Sequence, residues 1–353
     1  PSDITIEFTD GTEELNCLGD NDGTINITAN GGTTTDEEYQ YTWIATNGGV
    51  VPTEQINNQD LTGLVAGEYT VIVTDNNNCQ DTLTHVISEP TELIVTLDDA
   101  TDILDCYQDD NGVINITTNG GTPDINNEYQ YTWTATNGGV VPTEQINSQN
   151  LTGLVAGDYT VIVIDNNNCQ DTLSHIINEP TGMEMTLETS FTELLCFEDA
   201  DGTLNINIEG GTPDSNNEYQ YTWTATNGGV VPAEQINNQN LTGLVAGEYT
   251  VVVLDESGCD ISDTYPISQP QDLTLTLDDG TEELNCLGDN DGTINITANG
   301  GTTTDEEYQY TWTATNGGVV PTEQINNQNL TDLVTGEYTV IVTDNNNCQD
   351  TLT

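Results

Sequence analysis

The chain has 353 residues with 60 Asp and Glu and no Lys or Arg, a formal net charge of −60. Ordinary charge usage would place roughly 40 basic residues in this length. Without them the chain cannot neutralise nucleic-acid phosphates or bind anionic membrane surfaces through charge, and no Lys or Arg salt bridge can form. Hydrophobic residues at 34%, alternating regularly with Thr and other polar residues, separate it from acidic disordered tails. The expectation is a folded, all-β, self-repelling protein.

An internal period organises the chain. Trp43, Trp133, Trp223 and Trp312 recur at steps of 90, 90 and 89 residues, and Pro1, Pro90, Pro180 and Pro270 at 89, 90 and 90. Four tandem domains are expected, at 1–90, 91–180, 181–270 and 271–353, the last truncated at its C-terminal strand. Units of this length hold their own core. No signal peptide or apolar spanning run is visible, and no membrane insertion is expected. Pro1 aligns with the internal prolines and the chain stops where other repeats continue, so a window from a longer array is expected.

Within repeat 1, residues 4–8 read as a first strand, and the acidic turn Cys17-Leu-Gly-Asp-Asn-Asp-Gly23 leads to a second at 24–29. Gly31-Gly32 breaks that strand. The loop TTTDEE that follows, TPDINNE or TPDSNNE in repeats 2 and 3, holds the one-residue length difference. Tyr39, Tyr41 and Trp43 alternate on a third strand, matching strand C of an immunoglobulin domain with its buried Trp. Asn47-Gly48-Gly49 is a hairpin signal, and one or two short strands are expected in the polar middle PTEQINNQ. Leu64-Val-Ala-Gly67-Glu-Tyr69 reads as an approach turn into the strand of Tyr69, Val71 and Val73, whose alternation marks a half-buried strand. Tyr69, like Tyr159, Tyr249 and Tyr338, matches the tyrosine corner at the start of strand F. Residues 81–88 form strand G, and Glu89-Pro90 is a short, stiff linker. The architecture expected is four immunoglobulin-like Greek-key sandwiches in an extended rod.

Eight cysteines, two per repeat, suggest disulfides and an oxidising, extracellular setting. Pairing inside a repeat, Cys17 with Cys79, is the simplest scheme. In a sandwich, however, strands B and F run the same way, and Cys17 precedes B while Cys79 follows F. That puts them on the order of 20 Å apart, against a limit of about 7 Å between Cα atoms. The turn before strand B of one domain would instead lie beside the F–G turn of the next. Cys17 with Cys169, Cys106 with Cys259 and Cys196 with Cys348 is therefore the favoured scheme, leaving Cys79 and Cys286 for further neighbours; within-repeat pairs are the alternative.

The acidic turns, Asp20-Asn-Asp-Gly23 and its relatives, supply oxygens suited to Ca²⁺ but lack the full EF-hand pattern. A turn using Asp, Asn and Gly for backbone reasons explains the same residues. If Ca²⁺ is bound, Asp20, Asp22 and Glu89 would meet Asp165 of the following domain; no other cofactor is indicated. His85 and His175 read as packed strand residues. No repeat assembles nucleophile, base and oxyanion donor, so no enzyme is expected.

Taken together, the Cys, the acidic turn, Gly-Gly-Thr, Tyr-x-Tyr-x-Trp, Leu-x-x-Gly-x-Tyr-x-Val-x-Val-x-Asp, the second Cys and a terminal Glu-Pro or Gln-Pro resemble the SprB repeat. That repeat belongs to very large surface adhesins of gliding Bacteroidetes. The insertion between Gly-Gly-Thr and Tyr departs from the common form. The resemblance implies a secreted cell-surface filament whose partners are neighbouring repeats, outer-membrane secretion and motility machinery, and a surface polysaccharide or substratum. The Asp-Thr-Leu tripeptides resemble the O-glycosylation motif of the same bacteria, and that resemblance implies sugar sites at Thr82, Thr172 and Thr351. A stalk segment of an adhesin is the function expected. The alternative is a repeated ligand-binding module for carbohydrate, mineral or ice, using Thr faces or acidic loops.

Overall fold

A computed structural model describes residues 2–35, 38–281, 283–304 and 307–353. Pro1 and part of the TTTDEE loop in repeats 1 and 4, at 36–37 and 305–306, lie outside the described residues. The chain divides into two compact units, Pro1–Glu179 and Pro180–Thr353, and each is described by itself.

In the first unit, β1 (Ser2–Gly11), β2 (Gly23–Gly32) and β4 (Leu61–Leu64) form one antiparallel sheet in the order β1-β2-β4. The second sheet, β3-β5-β6, comes from β3 (Gln40–Thr46), β5 (Gly67–Thr74) and β6 (Gln80–Ile87). The chain changes sheet between β2 and β3, returns for β4, and changes again for β5. That connectivity is the Greek key of an immunoglobulin-like sandwich, with β1, β2 and β4 in the places of strands A, B and E, and β3, β5 and β6 in those of C, F and G. The end of the first strand crosses over as well, through a parallel bridge between Glu14 and Ser88. The second repeat has the same two sheets, from β7 (Ile94–Ala100), β8 (Gly112–Asn119) and β10 (Leu151–Leu154), and from β9 (Gln130–Thr136), β11 (Gly157–Ile164) and β12 (Gln170–Ile177).

In the second unit, β13 (Glu184–Leu187) pairs β15 (Ile206–Glu209), and β14 (Gly202–Leu204) pairs β17 (Leu241–Leu244). They face β16 (Gln220–Thr226), β18 (Gly247–Leu254) and β19 (Asp260–Ile267). The last repeat has β20 (Thr274–Gly280), β21 (Gly292–Asn299) and β23 (Leu330–Leu333) against β22 (Gln309–Thr315), β24 (Glu337–Thr343) and β25 (Gln349–Leu352).

Alternation builds the core. Ile25 and Ile27 from one sheet meet Trp43, Tyr69, Val71 and Val73 from the other, all at 4% exposure or less. Trp133 and Tyr159, Trp223 and Tyr249, and Trp312 and Tyr338 fill the same places in their repeats. Each Trp also needs an acceptor for its indole N–H, and Trp43 Nε1 donates to Asn58 O at 2.9 Å.

Leu61–Leu64 is strand β4, because both leucines reach the core and the segment completes the first sheet. One expectation is corrected. The polar middle contains a 3₁₀ turn, Thr53–Gln55, in place of short strands. Its Gln55 acts as a clamp: Oε1 accepts from Thr62 N at 2.8 Å and Nε2 donates to Thr62 O at 3.1 Å. A side chain thus takes the ladder position a neighbouring strand would have used.

The tyrosine corner closes the sandwich. Tyr69 O–H donates to Val65 O at 2.8 Å and accepts from Val50 N at 3.2 Å. Burial pushes the hydroxyl's pKa up and keeps it a donor. Tyr69→Phe leaves both backbone groups without this partner, so urea unfolding should show the first repeat destabilised by about 1–3 kcal/mol; an unchanged midpoint would count against the corner's role.

Candidate functional site

The feature that sets this sandwich apart is the turn between its last two strands, Asp75-Asn-Asn-Asn-Cys79. Asp75 is 4% exposed in a chain without Lys or Arg. Its Oδ2 accepts from Thr33 N at 2.8 Å, and its Oδ1 from Asn77 N and Cys79 N, both at 2.8 Å. Amide dipoles stabilise the charge that no cation is present to balance. These bonds hold the carboxyl below its ordinary value of 3.8, the one from Thr33 foremost. The turn is thereby tied to the Gly-Gly-Thr bend after β2, and Asn78 takes the left-handed φ of 65° that closes it. Asp165, Asp255 and Asp344 are buried in the same position.

The carboxylate hub presents the cysteine. In the first unit Cys169 is bonded to Cys17, with Cα atoms 5.6 Å apart, and in the second unit Cys348 is bonded to Cys196, also at 5.6 Å. Each of these bonds joins the F–G turn of one repeat to the turn before strand B of the repeat preceding it. Beside each bond a side chain crosses the same boundary: Asn167 Nδ2 donates to Asn16 O at 3.1 Å, and Asn346 Nδ2 to Leu195 O at 3.0 Å. Cys106 and Cys259 are disulfide-bonded as well. Cys79 and Cys286 are free and exposed, so Cys17 does not pair with Cys79 within its repeat.

The Ca²⁺ arrangement is not assembled. Asp20 Oδ2 accepts from Cys17 N at 3.2 Å, Asp22 accepts from Asn16 Nδ2, and Glu89 Oε2 accepts from Gly19 N at 2.9 Å. Asp165 spends both oxygens on Thr122 N, Asn167 N and Cys169 N. Among the described residues no group of three or more His, Cys, Asp or Glu gathers to hold a metal. Asp20, Asp22, Glu89 and Asp165 each accept from N–H groups and so order their turns.

His85 stacks on Phe8 with ring centroids 4.3 Å apart and its Nε2 lies 2.8 Å from Thr12 O. His175 sits 2.9 Å from Thr101 O and 3.5 Å from the Asp102 carboxylate. Both lock the last strand to the end of the first. Tyr265 takes that position in the third repeat, where burial pushes its hydroxyl up to about 12. Thr82, Thr172 and Thr351 are exposed on edge strands. The preceding aspartates have a use of their own, since Asp171 Oδ2 accepts from Val95 N and Asp350 Oδ2 from Leu275 N, both at 2.7 Å.

The outer face of the β3-β5-β6 sheet carries registered Thr rows. Thr42 lies level with Ile72 and Thr82, and Ile44 level with Thr70 and Thr84. Thr70 and Thr84 hydroxyls bond each other at 2.9 Å. The counterpart rows in the second repeat are Thr132, Ile162 and Thr172, then Thr134, Thr160 and Ser174.

By fold this is an all-β protein of tandem immunoglobulin-like repeats. The SprB repeat matches it at three segments, residues 9–48, 189–228 and 280–317, each running from the turn before strand B through the Trp strand. The chain is also similar to solved structures: the three N-terminal domains of the outer capsid protein Hoc of bacteriophage RB49 (17% identity, 76% of this chain and 98% of that chain, TM-score 0.33), titin domains I67–I69 (14%, 76% and 99%, 0.36) and the insect immune protein hemolin (12%, 98% and 98%, 0.27). Nothing further rests on likeness at these scores. No curated protein matches the chain, and among the described residues no helix is long and apolar enough to cross a membrane.

The Asp75 hub makes a pH prediction. Its folded pKa is lowered, so the unfolded chain binds the proton more readily. The stabilisation is complete above the ordinary carboxylate range and lost as pH falls through the lowered value. Asp75→Asn should lower the thermal midpoint of the first repeat at pH 6, with the difference from wild type shrinking towards pH 2; a pH-independent difference would overturn this assignment.

Proposed function

We propose that the chain is a tension-bearing stalk segment of an extracellular adhesin. The SprB match and the immunoglobulin-like repeats support an adhesin-like repeat region. The observation that carries the stalk role is the bond between successive repeats, Cys17 to Cys169 and Cys196 to Cys348. Load entering one repeat passes to the next through a covalent link, so the 152-residue interval closed by each bond need not unfold. A dense negative charge keeps such stalks from bundling through repulsion that acts within a Debye length of about 8 Å. The absence of Lys and Arg leaves trypsin-like proteases no cleavage site. Cell-surface attachment, export by outer-membrane machinery and a part in gliding belong to this reading, as do O-linked sugars on Thr82, Thr172 and Thr351.

A second reading is favoured by the registered Thr rows: a repeated module binding neutral carbohydrate, mineral or ice through the outer β3-β5-β6 face. Thr42→Glu and Thr82→Glu together with Thr132→Glu and Thr172→Glu should weaken such binding in a glycan or ice-affinity assay and leave the stalk mechanics unchanged.

Single-molecule extension tests the stalk. Under oxidising conditions the intervals between bonded cysteines should stay closed up to rupture. Full reduction should release roughly 500 Å of extra contour for each, at about 3.3–3.6 Å per residue. Equal contour lengths before and after reduction would remove the load-bearing role.

A further inference from the structure

The third repeat holds a cleft of about 390 Å³ where the end of β15 approaches the start of β16, a size that suits a small ligand or one long side chain. Two half-buried tyrosines, Tyr219 and Tyr221, line it together with the buried Ile208. The adjoining loop is fixed. Asp214 Oδ1 accepts from Asn216 N at 2.9 Å and from Glu218 N at 2.8 Å, and Asn217 takes the left-handed φ of 66° that closes the turn. Asn217 and Glu218 are thereby set along the cleft before anything binds.

The polar groups of the lining are unevenly used. Tyr219 O–H donates to Gly210 O at 2.7 Å, Gln239 Nε2 to Ile206 O at 2.6 Å and Asn207 Nδ2 to Glu209 Oε1 at 3.4 Å. Donors are spent inside the repeat, while the oxygens of Gln239 and Asn207 and the Glu218 carboxylate remain as acceptors. The second repeat differs at one telling place: Tyr131 O–H donates to Thr118 Oγ1 at 3.3 Å. Ile208 stands there in the third repeat and offers no acceptor, so Tyr221 keeps its hydroxyl for the cleft. Burial first, then the negative charge of Asp255 and Glu209 on Tyr219 and of Tyr219 and Glu218 on Tyr221, holds both hydroxyls above their ordinary value of 10.0. Both rings are neutral and sit in a negative field.

An aromatic face attracts a cation. This chain has no Lys or Arg, and its two histidines lie in other repeats, so the cation has to come from outside. We propose that the cleft binds the guanidinium or ammonium group of a basic ligand, seated against Tyr219 and Tyr221 and hydrogen-bonded to Glu218, Gln239 Oε1 and Asn207 Oδ1. Both groups carry several N–H donors and no acceptor, which is the complement of this lining. A neutral sugar needs donors as well as acceptors from its site, and an anion is repelled by a net charge of −60. The same charge concentrates cations near the chain and speeds their capture at low salt. Neither reading given above depends on this site, and extension of the stalk tests a different property.

The test is a titration of the full chain, carrying isotope-labelled tyrosine rings, with methylguanidinium chloride and, at equal ionic strength, with potassium chloride. The Tyr219 and Tyr221 ring signals should shift saturably with methylguanidinium and hold still with potassium, which separates a built site from general attraction to a polyanion. Tyr221→Leu should weaken binding about two- to fivefold, the worth of one partly exposed cation–π contact, while Tyr221→Phe keeps the aromatic face and most of the affinity. Glu218→Gln, an exposed change outside the core, should weaken it by a similar factor and leave the thermal midpoint unchanged. A capped glycine-rich peptide with a single Arg then separates two sources of the group. Tighter binding than methylguanidinium supports the site and assigns the group to a partner protein; equal binding supports it and assigns a free small cation. Equal shifts in potassium chloride, tighter binding of methyl glucoside than of methylguanidinium, or unchanged affinity in Tyr221→Leu or Glu218→Gln would each overturn the proposal.

Discussion

With 60 carboxylates and no Lys or Arg, the protein has to hold its acidic side chains with something other than cations. The donors that remain are backbone and side-chain N–H groups and threonine hydroxyls. Asp75 shows the solution most fully: a buried carboxylate satisfied by Thr33, Asn77 and Cys79 amides. Glu89 on Gly19, Asp171 on Val95 and Asp350 on Leu275 repeat it at other turns and strand edges. A carboxylate accepting several N–H bonds is stable in a low-dielectric setting, and the same bonds fix the loops that carry it. Charge here is a means of ordering turns, and what would have been a liability in the core becomes the anchor of each cysteine.

That anchoring links the sandwich to its use. Tyr69 and Trp43 hold the two sheets of one repeat together, but they do nothing for the joint between repeats. The joint is made by the turn that Asp165 or Asp344 shapes, through a disulfide and an asparagine amide. Apolar packing gives each repeat its own stability, and the covalent link gives succession from one repeat to the next. Both are what the proposed stalk role needs.

Repeat length, all-β class and the sandwich positions of Trp43 and Tyr69 were legible in the sequence, because period-2 alternation and a Gly turn before a tyrosine report burial directly. The aspartate hub was not. Asp75 looks like any acidic residue in an Asp-Asn-Asn-Asn run, and only the approach of Thr33 from 42 residues earlier reveals why it is buried. The strand at Leu61–Leu64 was not legible for a related reason: four residues are too few to show alternation, and their pairing depends on β2 lying alongside. Gln55 is a polar loop residue until its amide is seen to close on Thr62.

Local pattern determined by itself that this chain folds as repeated antiparallel sandwiches, that it carries no cation and that it offers two cysteines per repeat. The tertiary structure alone decided which carboxylates are spent on amides and therefore order turns. It also decided between the two cysteine pairing schemes that the sequence left open, because a disulfide requires Cα atoms within about 7 Å. No spacing along the sequence can state that distance; it depends on where the turns of two neighbouring repeats come to rest.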